Sequence, residues 1–353
     1  MFVFVCWTPY QIFNAINFVL SDVEGARGNA DIYIYHDFRN SEAFSRKLKD
    51  SGIFCHVYDV SIYDKRRKIW YSKFNKIKRL LMPYHTIRRY LRADIDVRKQ
   101  GYKTLVVAGN NLFAINLYSC IKDLQVYFID DGTGSYWGDI RQAGYTFLYR
   151  IFDRVFHRGP MSYDIKKLYI NNKKTCRSTL CDTIVQLPAL KPCSEVTEAA
   201  KKVFSYVDNP DYDSKRVIWL GEPMEEVSKN APEREKQLLS TIADHTLVRA
   251  HPRQELACYE GLTLDRTNNL WELECALKIR DSHVLIGFFS TAQFTPKILF
   301  GKEPTVVFIY PLFGYDFPDG PQMIADLRSL YQDPGKVIVA ETVEDLKGII
   351  DDQ

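Results

Sequence analysis

The chain has 353 residues, a length at which two domains of ordinary size are expected. Hydrophobic residues make up 46% and charged residues 26%, which excludes disordered and fibrous proteins, and the net charge of +3 does not indicate a nucleic-acid binder. The eight cysteines form no CxxC pair and no zinc-type cluster with histidines. This pattern predicts a reduced, cytoplasmic protein with no metal site.

Apolar runs of strand length alternate with helix-length stretches along the chain. In chain order we predict strands at 1–6, 31–35, 54–59, 104–108 and 125–129, with a helix starting after Thr8 and Pro9 and another at 112–121. A polar, turn-rich stretch at about 170–215 follows. The alternation then resumes with strands at 216–220, 246–250, 283–286 and 305–310 and helices at 234–243, 270–279, 295–300 and 343–350.

This alternation predicts parallel sheets in an α/β protein. We expect two successive Rossmann-like domains, at 1–190 and 205–353, that face a central cleft. No apolar run reaches the roughly 18 residues that a transmembrane helix needs, and the N-terminus MFVFVCWTPYQIF is typical of a first strand rather than a signal peptide.

The sequence IDDGTGSY directly follows the strand predicted at 125–129. Ligands of open α/β sheets bind beyond the carboxyl ends of the strands, where this loop lies. Asp130 and Asp131 are adjacent carboxylates, so one of them can have a raised pKa and act as a base. Gly132 permits a tight turn close to a substrate. An ordinary Asp-Gly turn is the alternative interpretation.

Three loops of the second half carry further candidate residues. In RAHPR, His251 is a candidate general acid whose direction Pro252 restricts, and the flanking arginines, Arg253 among them, suit an anionic ligand. In FFSTA, Ser290 and Thr291 lie at the start of a helix, where they can cap it and bind phosphate. In WLGEPMEE, acidic residues follow a strand and face the same cleft.

Several motif classes are missing from the sequence. It contains no P-loop, no GxGxxG, no GxSxG and no HExxH. The aspartates at 94 and 96 form a DxD pattern, but they lie in a basic region rather than between apolar strands. The sequence therefore favours metal-independent chemistry.

The segment Lys65–Lys103 contains fourteen Lys or Arg residues, interleaved with aromatic side chains. It is either an amphipathic region that contacts an anionic membrane or acceptor, or a solvated helical face. The first interpretation predicts a peripheral protein at the inner face of the plasma membrane. A homodimer is compatible with the sequence.

The four loops in this order resemble bacterial sialyltransferases of glycosyltransferase family 52. VCWTPYQIFNA is similar to that family's C-x-T-P-x-Q opening, IDDG to its acidic-acidic-Gly motif, RAHPR to its His-Pro motif and FFSTA to its Ser/Thr motif. WLGEP looks like the strand-Gly-x-Pro segment. The resemblance implies a GT-B fold and an inverting transfer of sialic acid from CMP-sialic acid to a galactoside, with no required metal or other cofactor.

The resemblance also implies roles for individual residues. His251 is similar to the acid that assists departure of CMP, and Ser290 and Thr291 to the phosphate-binding pair. Asp131 ranks first as the base, and Glu225 or Glu226 is the alternative. The remaining candidates complete the two sides of the cleft. Donor binding is expected at Gly221, Glu222, Pro223, His251, Pro252, Arg253, Ser290 and Thr291, and acceptor contacts at Thr8, Pro9, Gln11, Asp130 and Gly132.

The implied product is a sialylated surface glycan, a capsule or lipooligosaccharide, formed by a β-galactoside α-2,3-sialyltransferase. Domain closure is expected to assemble the base and the acid. One alternative is a related transferase that uses another donor such as a UDP-hexose. Another is a non-catalytic scaffold of polysaccharide assembly, and a DNA-binding role lacks a recognition motif.

Overall fold

The computed structural model describes residues 1–36, 38, 40–60, 87, 95–137, 161–251, 254 and 259–351. The chain divides into two compact units, an N-terminal unit Met1–Phe204 and a C-terminal unit Ser205–Gln353. The sequence prediction placed the first domain at 1–190 and left 191–204 unassigned. These residues belong to the N-terminal unit, because the helix Glu195–Val203 packs on the first helix of that unit.

The N-terminal unit contains a parallel sheet. The strands are β1 (Phe2–Cys6), β2 (Ala30–Tyr35), β3 (His56–Val60), β4 (Thr104–Val107), β5 (Gln125–Ile129), β6 (Ile165–Ile170) and β7 (Ile184–Gln186). Among the described residues they form one seven-stranded sheet in the order β3-β2-β1-β4-β5-β6-β7. The central strand β1 is buried along its whole length, as expected where both faces of a parallel sheet are covered.

The helices described in this unit are α1 (Pro9–Leu20), α2 (Ser41–Ser51), α3 (Leu112–Cys120), α4 (Thr133–Trp137) and α5 (Glu195–Val203). Helix α1 begins as the sequence predicted. The Thr8 side chain accepts a hydrogen bond from the Gln11 backbone N–H at 3.2 Å, and Pro9 takes the first helical position. This cap fixes the start of α1 directly beyond the carboxyl end of β1.

The C-terminal unit repeats the plan. Its strands are β8 (Val217–Leu220), β9 (Thr246–Arg249), β10 (Thr263–Leu264), β11 (Val284–Gly287), β12 (Thr305–Phe308) and β13 (Val337–Val339). In the described part of the chain they form a six-stranded parallel sheet in the order β10-β9-β8-β11-β12-β13. Strand β8 therefore lies between β9 and β11, and the loops after these three strands share one edge of the sheet.

The helices of the C-terminal unit are α6 (Asp211–Ser214), α7 (Ala231–Ser240), α8 (Trp271–Leu277), α9 (Thr291–Phe300), α10 (Gly320–Leu330) and α11 (Val343–Asp351). Helix α9 ends at Phe300, and Gly301 caps it in the left-handed conformation, with a φ of 69°. The chain therefore has two Rossmann-like α/β domains with parallel sheets, the fold class that the sequence predicted.

The element boundaries differ from the sequence prediction mainly where side chains are polar. Strand β7 and helix α5 were missed, since the stretch at about 170–215 was interpreted as a domain boundary, and β6, which ends where that stretch begins, was not predicted either. No helix among the described residues is long and apolar enough to cross a membrane. Most of the basic segment Lys65–Lys103 lies outside the described residues, so its predicted membrane contact stays a prediction.

Candidate active site

The loop after β5 is built around the buried carboxylate of Asp130. Its two oxygens accept hydrogen bonds from the Gly132 N–H at 2.8 Å, the Tyr136 hydroxyl at 2.6 Å, and the backbone N–H and side-chain amide of Asn171 at 3.1 and 3.0 Å. Burial raises the pKa of Asp130, while these four donors act in the opposite direction. The Asp130 side chain is therefore committed to holding the loop.

Helix α1 holds the same loop from the other side. The Asn14 amide donates to the Asp130 backbone oxygen at 3.0 Å, and its oxygen accepts from the Asn171 amide at 3.1 Å. Gly132 has a φ of 92°, a conformation that L side chains rarely adopt, which explains the glycine of IDDG. Two of the predicted acceptor-side residues, Asp130 and Gly132, thus lie in one turn. A third, Gln11, lies on the helix that contacts this turn.

Asp131 is the accessible member of the carboxylate pair. Its backbone N–H donates to the Ser135 hydroxyl at 2.9 Å, and its carboxylate accepts from the Gln11 amide at 2.9 Å. The surrounding protein displaces water from the carboxylate, and this raises the pKa of Asp131 to about 7. The Gln11 hydrogen bond lowers the pKa, and the nearby Asp130 charge raises it further. A carboxylate that titrates near neutral pH and is reached by solvent suits a general base.

Gln11 can present its amide in one orientation only. Its oxygen accepts from the Trp7 backbone N–H at 2.8 Å, which leaves the NH₂ group to donate to Asp131. The side chain is fully buried, so this orientation is fixed by packing as well as by hydrogen bonds. Cys6 lies close by, and burial together with the Asp131 charge raises the pKa of its thiol, which keeps it protonated. Cys6 is thus unsuited to act as a nucleophile.

At the corresponding edge of the C-terminal sheet, Gly221 follows β8 in very close packing. Its N–H donates to the Arg249 backbone oxygen at 2.9 Å. A Cβ atom at this position would lie 2.6 Å from Gln254 Oε1, 2.8 Å from the Tyr259 hydroxyl and 3.2 Å from Ala250 Cα. A side chain at this position would have to displace Gln254 or Tyr259, so the glycine lets the Gly221–Glu222 backbone lie next to the residues that follow β9.

His251 lies two residues beyond the end of β9 and is partly exposed. Its backbone N–H donates to Gln254 Oε1 at 2.9 Å, and its carbonyl accepts from the Gln254 N–H at 2.8 Å. Pro252 and Arg253, which the sequence predicted as donor-binding, lie outside the described residues. The His251 backbone is therefore held by one glutamine that the sequence analysis did not identify.

The structure corrects the expectation for the first arginine of RAHPR. The Arg249 guanidinium pairs with the buried Asp265 carboxylate at 2.5 Å, donates to the Asn269 carbonyl at 2.5 Å and lies over the Trp271 ring at 5.4 Å. Its charge is thus compensated within the C-terminal unit. Since the guanidinium is bound to these internal partners, Arg249 serves the stability of the unit rather than the binding of an anionic ligand.

Ser290 caps α9 in a complete capping box. Its hydroxyl accepts from the Ala292 N–H at 3.3 Å, while the Gln293 side chain accepts from the Ser290 N–H at 3.0 Å and donates to the Val307 carbonyl at 2.9 Å. Thr291, the first residue of α9, is exposed. The S-x-x-Q spacing could have revealed Gln293 from the sequence. The positive end of the α9 dipole lies at this loop, where phosphate binding is favourable.

The acidic residues after Pro223 lie in a 3₁₀ turn at Met224–Glu226, where Glu225 and Glu226 are both exposed. Behind this turn, Glu235 on α7 is buried and accepts from Trp219 Nε1 at 2.9 Å and the Tyr259 hydroxyl at 3.1 Å. Burial raises the pKa of Glu235 to about 7, with additional contributions from the charges of Glu225 and Glu222. Glu235 was not predicted, since an acidic residue on an amphipathic helix normally faces solvent.

No group of three or more His, Cys, Asp or Glu residues able to hold a metal ion occurs in the described part of the chain. The candidate site residues are Asp131 in the N-terminal unit and His251, Gly221 and Ser290 in the C-terminal unit.

The comparisons with known proteins bear on the fold. No protein-family profile matches the chain, and no curated protein matches it in sequence. Among solved structures, the chain is similar to a protein described as a UDP-N-acetylglucosamine 2-epimerase from Listeria monocytogenes, with 12% identity, a TM-score of 0.51 and coverage of 99% of this chain and 86% of that one. MnaA of S. aureus, solved with UDP, gives 10% identity, a TM-score of 0.52 and coverage of 99% and 87%.

A weaker similarity, to the E. coli heptosyltransferase WaaC with ADP, has 12% identity and a TM-score of 0.43 and covers 100% of this chain and 99% of that one. At these identities the likenesses concern the fold alone. Together with the two parallel sheets, the likenesses to the Listeria and S. aureus proteins show a GT-B type fold made of two Rossmann-like domains.

Proposed function

We propose that the protein is an inverting, metal-independent glycosyltransferase that moves sialic acid from CMP-sialic acid to a terminal galactoside of a surface glycan. The observation that carries the proposal is Asp131, an accessible carboxylate with a pKa of about 7 that Gln11 orients at the carboxyl edge of the sheet. An inverting transfer needs such a base to remove the proton from the acceptor hydroxyl as it attacks the anomeric carbon.

The C-terminal unit supplies the second half of the proposed reaction. When the bond between the anomeric carbon and the phosphate oxygen breaks, negative charge develops on the leaving CMP. We assign the stabilisation of this charge to His251 as acid and to the N-terminus of α9 with Ser290 and Thr291. The S. aureus neighbour was solved with UDP, which supports a nucleotide site on this fold. It equally supports the alternative donor, a UDP-hexose.

Glu225 and Glu226 remain the alternative bases, since both are exposed in the loop after β8. They lie in a turn near the buried Glu235. Asp131 ranks first because its pKa lies near 7 and the Gln11 amide orients its carboxylate.

The test is incubation of the purified protein with CMP-sialic acid and lactose, followed by measurement of CMP release and of the sialylated product. Asp131→Ala and His251→Ala are each expected to lower turnover by roughly 10²-fold or more. Near-normal turnover of either folded variant would contradict the role of that residue. Product analysis by mass spectrometry separates glycosyl transfer from donor hydrolysis and epimerisation.

A thermal-shift comparison of CMP, UDP and GDP decides the donor class. A nucleotide that binds only the folded state raises the unfolding temperature, and at a concentration of 100 times Kd the gain is about 2.7 kcal/mol. Stabilisation by CMP alone supports the sialyltransferase proposal. Stabilisation by UDP alone replaces the donor with a UDP-sugar, and no response to any nucleotide favours the scaffold alternative.

A further inference from the structure

Gln254 connects two loops of the C-terminal unit. Its side-chain oxygen accepts from the His251 backbone N–H at 2.9 Å, its NH₂ group donates to the Glu222 carbonyl, and its own backbone N–H donates to the His251 carbonyl at 2.8 Å. The residue is only 8% exposed. Both backbone polar groups of His251 thus depend on a single glutamine.

The amide of Gln254 is also fixed sterically. A Cβ at Gly221 would approach its oxygen to 2.6 Å, so the amide lies directly against the backbone of the loop after β8. A side chain at this position must accept a hydrogen bond from His251 and donate one to Glu222. Glutamine does both with one planar group, whereas a carboxylate can only accept and an apolar side chain can do neither.

The position of the imidazole depends on this arrangement through the backbone that carries it. The His251 backbone is held at both its N–H and its carbonyl, and backbone conformation limits the rotamers that a side chain can adopt. We propose that Gln254 is a positioning residue that fixes His251 relative to the Gly221–Glu222 backbone. The inference rests on the proposed function, in which His251 assists the departure of the leaving phosphate.

The experiment is a double-mutant cycle on nucleotide-sugar turnover. Gln254→Met keeps the approximate volume and removes the side-chain hydrogen bonds. It is expected to lower kcat by about 10- to 100-fold, with the KM for the nucleotide sugar within about threefold of the wild type. Because Gln254 acts through His251, the same substitution in a His251→Ala background is expected to lower kcat by less than about twofold further.

A second readout does not require activity. The His251 ring signal, assigned by its loss in His251→Ala, is followed by NMR in the nucleotide-free protein. In Gln254→Met it should shift or broaden, since the backbone that carries the ring loses its hydrogen bond to the Gln254 side chain. Gln237→Ala, which changes an exposed glutamine of α7, serves as the control and should leave both kinetics and the ring signal unchanged.

The outcomes separate the inference from the proposed function. Full kcat in folded Gln254→Met, losses that multiply in the double variant, or an unchanged His251 signal each overturn the positioning role. No loss in His251→Ala sinks the proposed role of His251, and the NMR result then decides the positioning alone. Where Gln254→Met does not fold, Gln254→Glu retains the acceptor for His251, removes the donor to Glu222 and is judged by the same criteria.

Discussion

Glu235→Gln should make the protein more stable at alkaline pH. Glu235 is 5% exposed, and its carboxylate accepts hydrogen bonds from two neutral donors, Trp219 and Tyr259. Burial therefore disfavours the ionised form and raises the pKa from 4.5 to about 7. A glutamine oxygen can accept the same two hydrogen bonds without a charge.

The magnitude follows from proton linkage. Below pH 4.5 Glu235 is protonated in both the folded and the unfolded chain. Between 4.5 and about 7 the unfolded chain releases the proton first, so the free energy of unfolding falls as the pH rises, and above about 7 the loss is complete. Each pKa unit is worth about 1.4 kcal/mol, so the total loss is about 3 kcal/mol. A glutamine at this position does not titrate, so the variant does not lose this free energy of unfolding as the pH rises.

The assay is urea unfolding of the wild type and Glu235→Gln at pH 5, 6, 7 and 8, with tryptophan fluorescence as the probe. The advantage of the variant should grow with pH and reach about 3 kcal/mol at pH 8. Glu233→Gln, on the exposed face of the same helix, is the matched control, and its difference from the wild type should stay within roughly 0.5 kcal/mol at every pH. A difference for Glu235→Gln that is independent of pH, or a less stable variant at pH 8, would refute the reasoning.

Three further predictions concern the two sheet edges. If Asp131 is the base, turnover rises as the pH passes about 7 and its carboxylate ionises. Gln11→Met removes the donor that lowers this pKa, so the rising limb of the kcat–pH profile should move to higher pH. An unmoved limb would argue against the interaction of Gln11 with Asp131. Gly221→Ala should lower kcat by more than tenfold, because its Cβ would displace Gln254. In urea unfolding it should lower the free energy of unfolding by about 2 kcal/mol. Wild-type kinetics would show that the loop adapts to the added methyl group. In the same assay, Arg249→Met should lower the free energy of unfolding by about 3 kcal/mol or more, because it leaves the Asp265 carboxylate buried without its cation. An unchanged free energy of unfolding would mean that the ion pair does not contribute to stability.

The sequence predicted the features that short-range chemistry determines. The strands β1, β5 and β9 were placed within one or two residues, since buried parallel strands are uninterrupted apolar runs. The Thr8 and Ser290 caps followed from residue type alone, because a capping side chain bonds to a backbone N–H two or three residues away. These interactions are local in the chain, so the sequence contains all that they require.

What the sequence could not show are contacts between distant segments. The Gln11 amide meets Asp131, and the Asn14 amide meets the Asp130 carbonyl, across more than a hundred residues. An amide side chain carries no charge and fits both surfaces and interiors, so its residue type gives no indication of such a partner. Helix α5 was missed for another reason, because the prolines and polar residues before and after it outweighed the apolar spacing of Val196, Ala200 and Val203.

Adjacent residues of like chemistry have acquired different tasks in this protein. Asp130 and Asp131 are equivalent in the sequence, yet four donors commit the first to the loop, while the second has one side-chain donor and stays accessible. Arg249 is likewise tied to Asp265 inside its own unit. In each case the side chain that faces the interior makes the structural bonds, because an unpaired charge there would be costly, and in the proposed reaction a residue that solvent can reach takes the reactive role. Arg249 therefore does not meet the phosphate charge in that reaction, which is assigned to His251, the start of α9 and the predicted donor-binding residue Arg253.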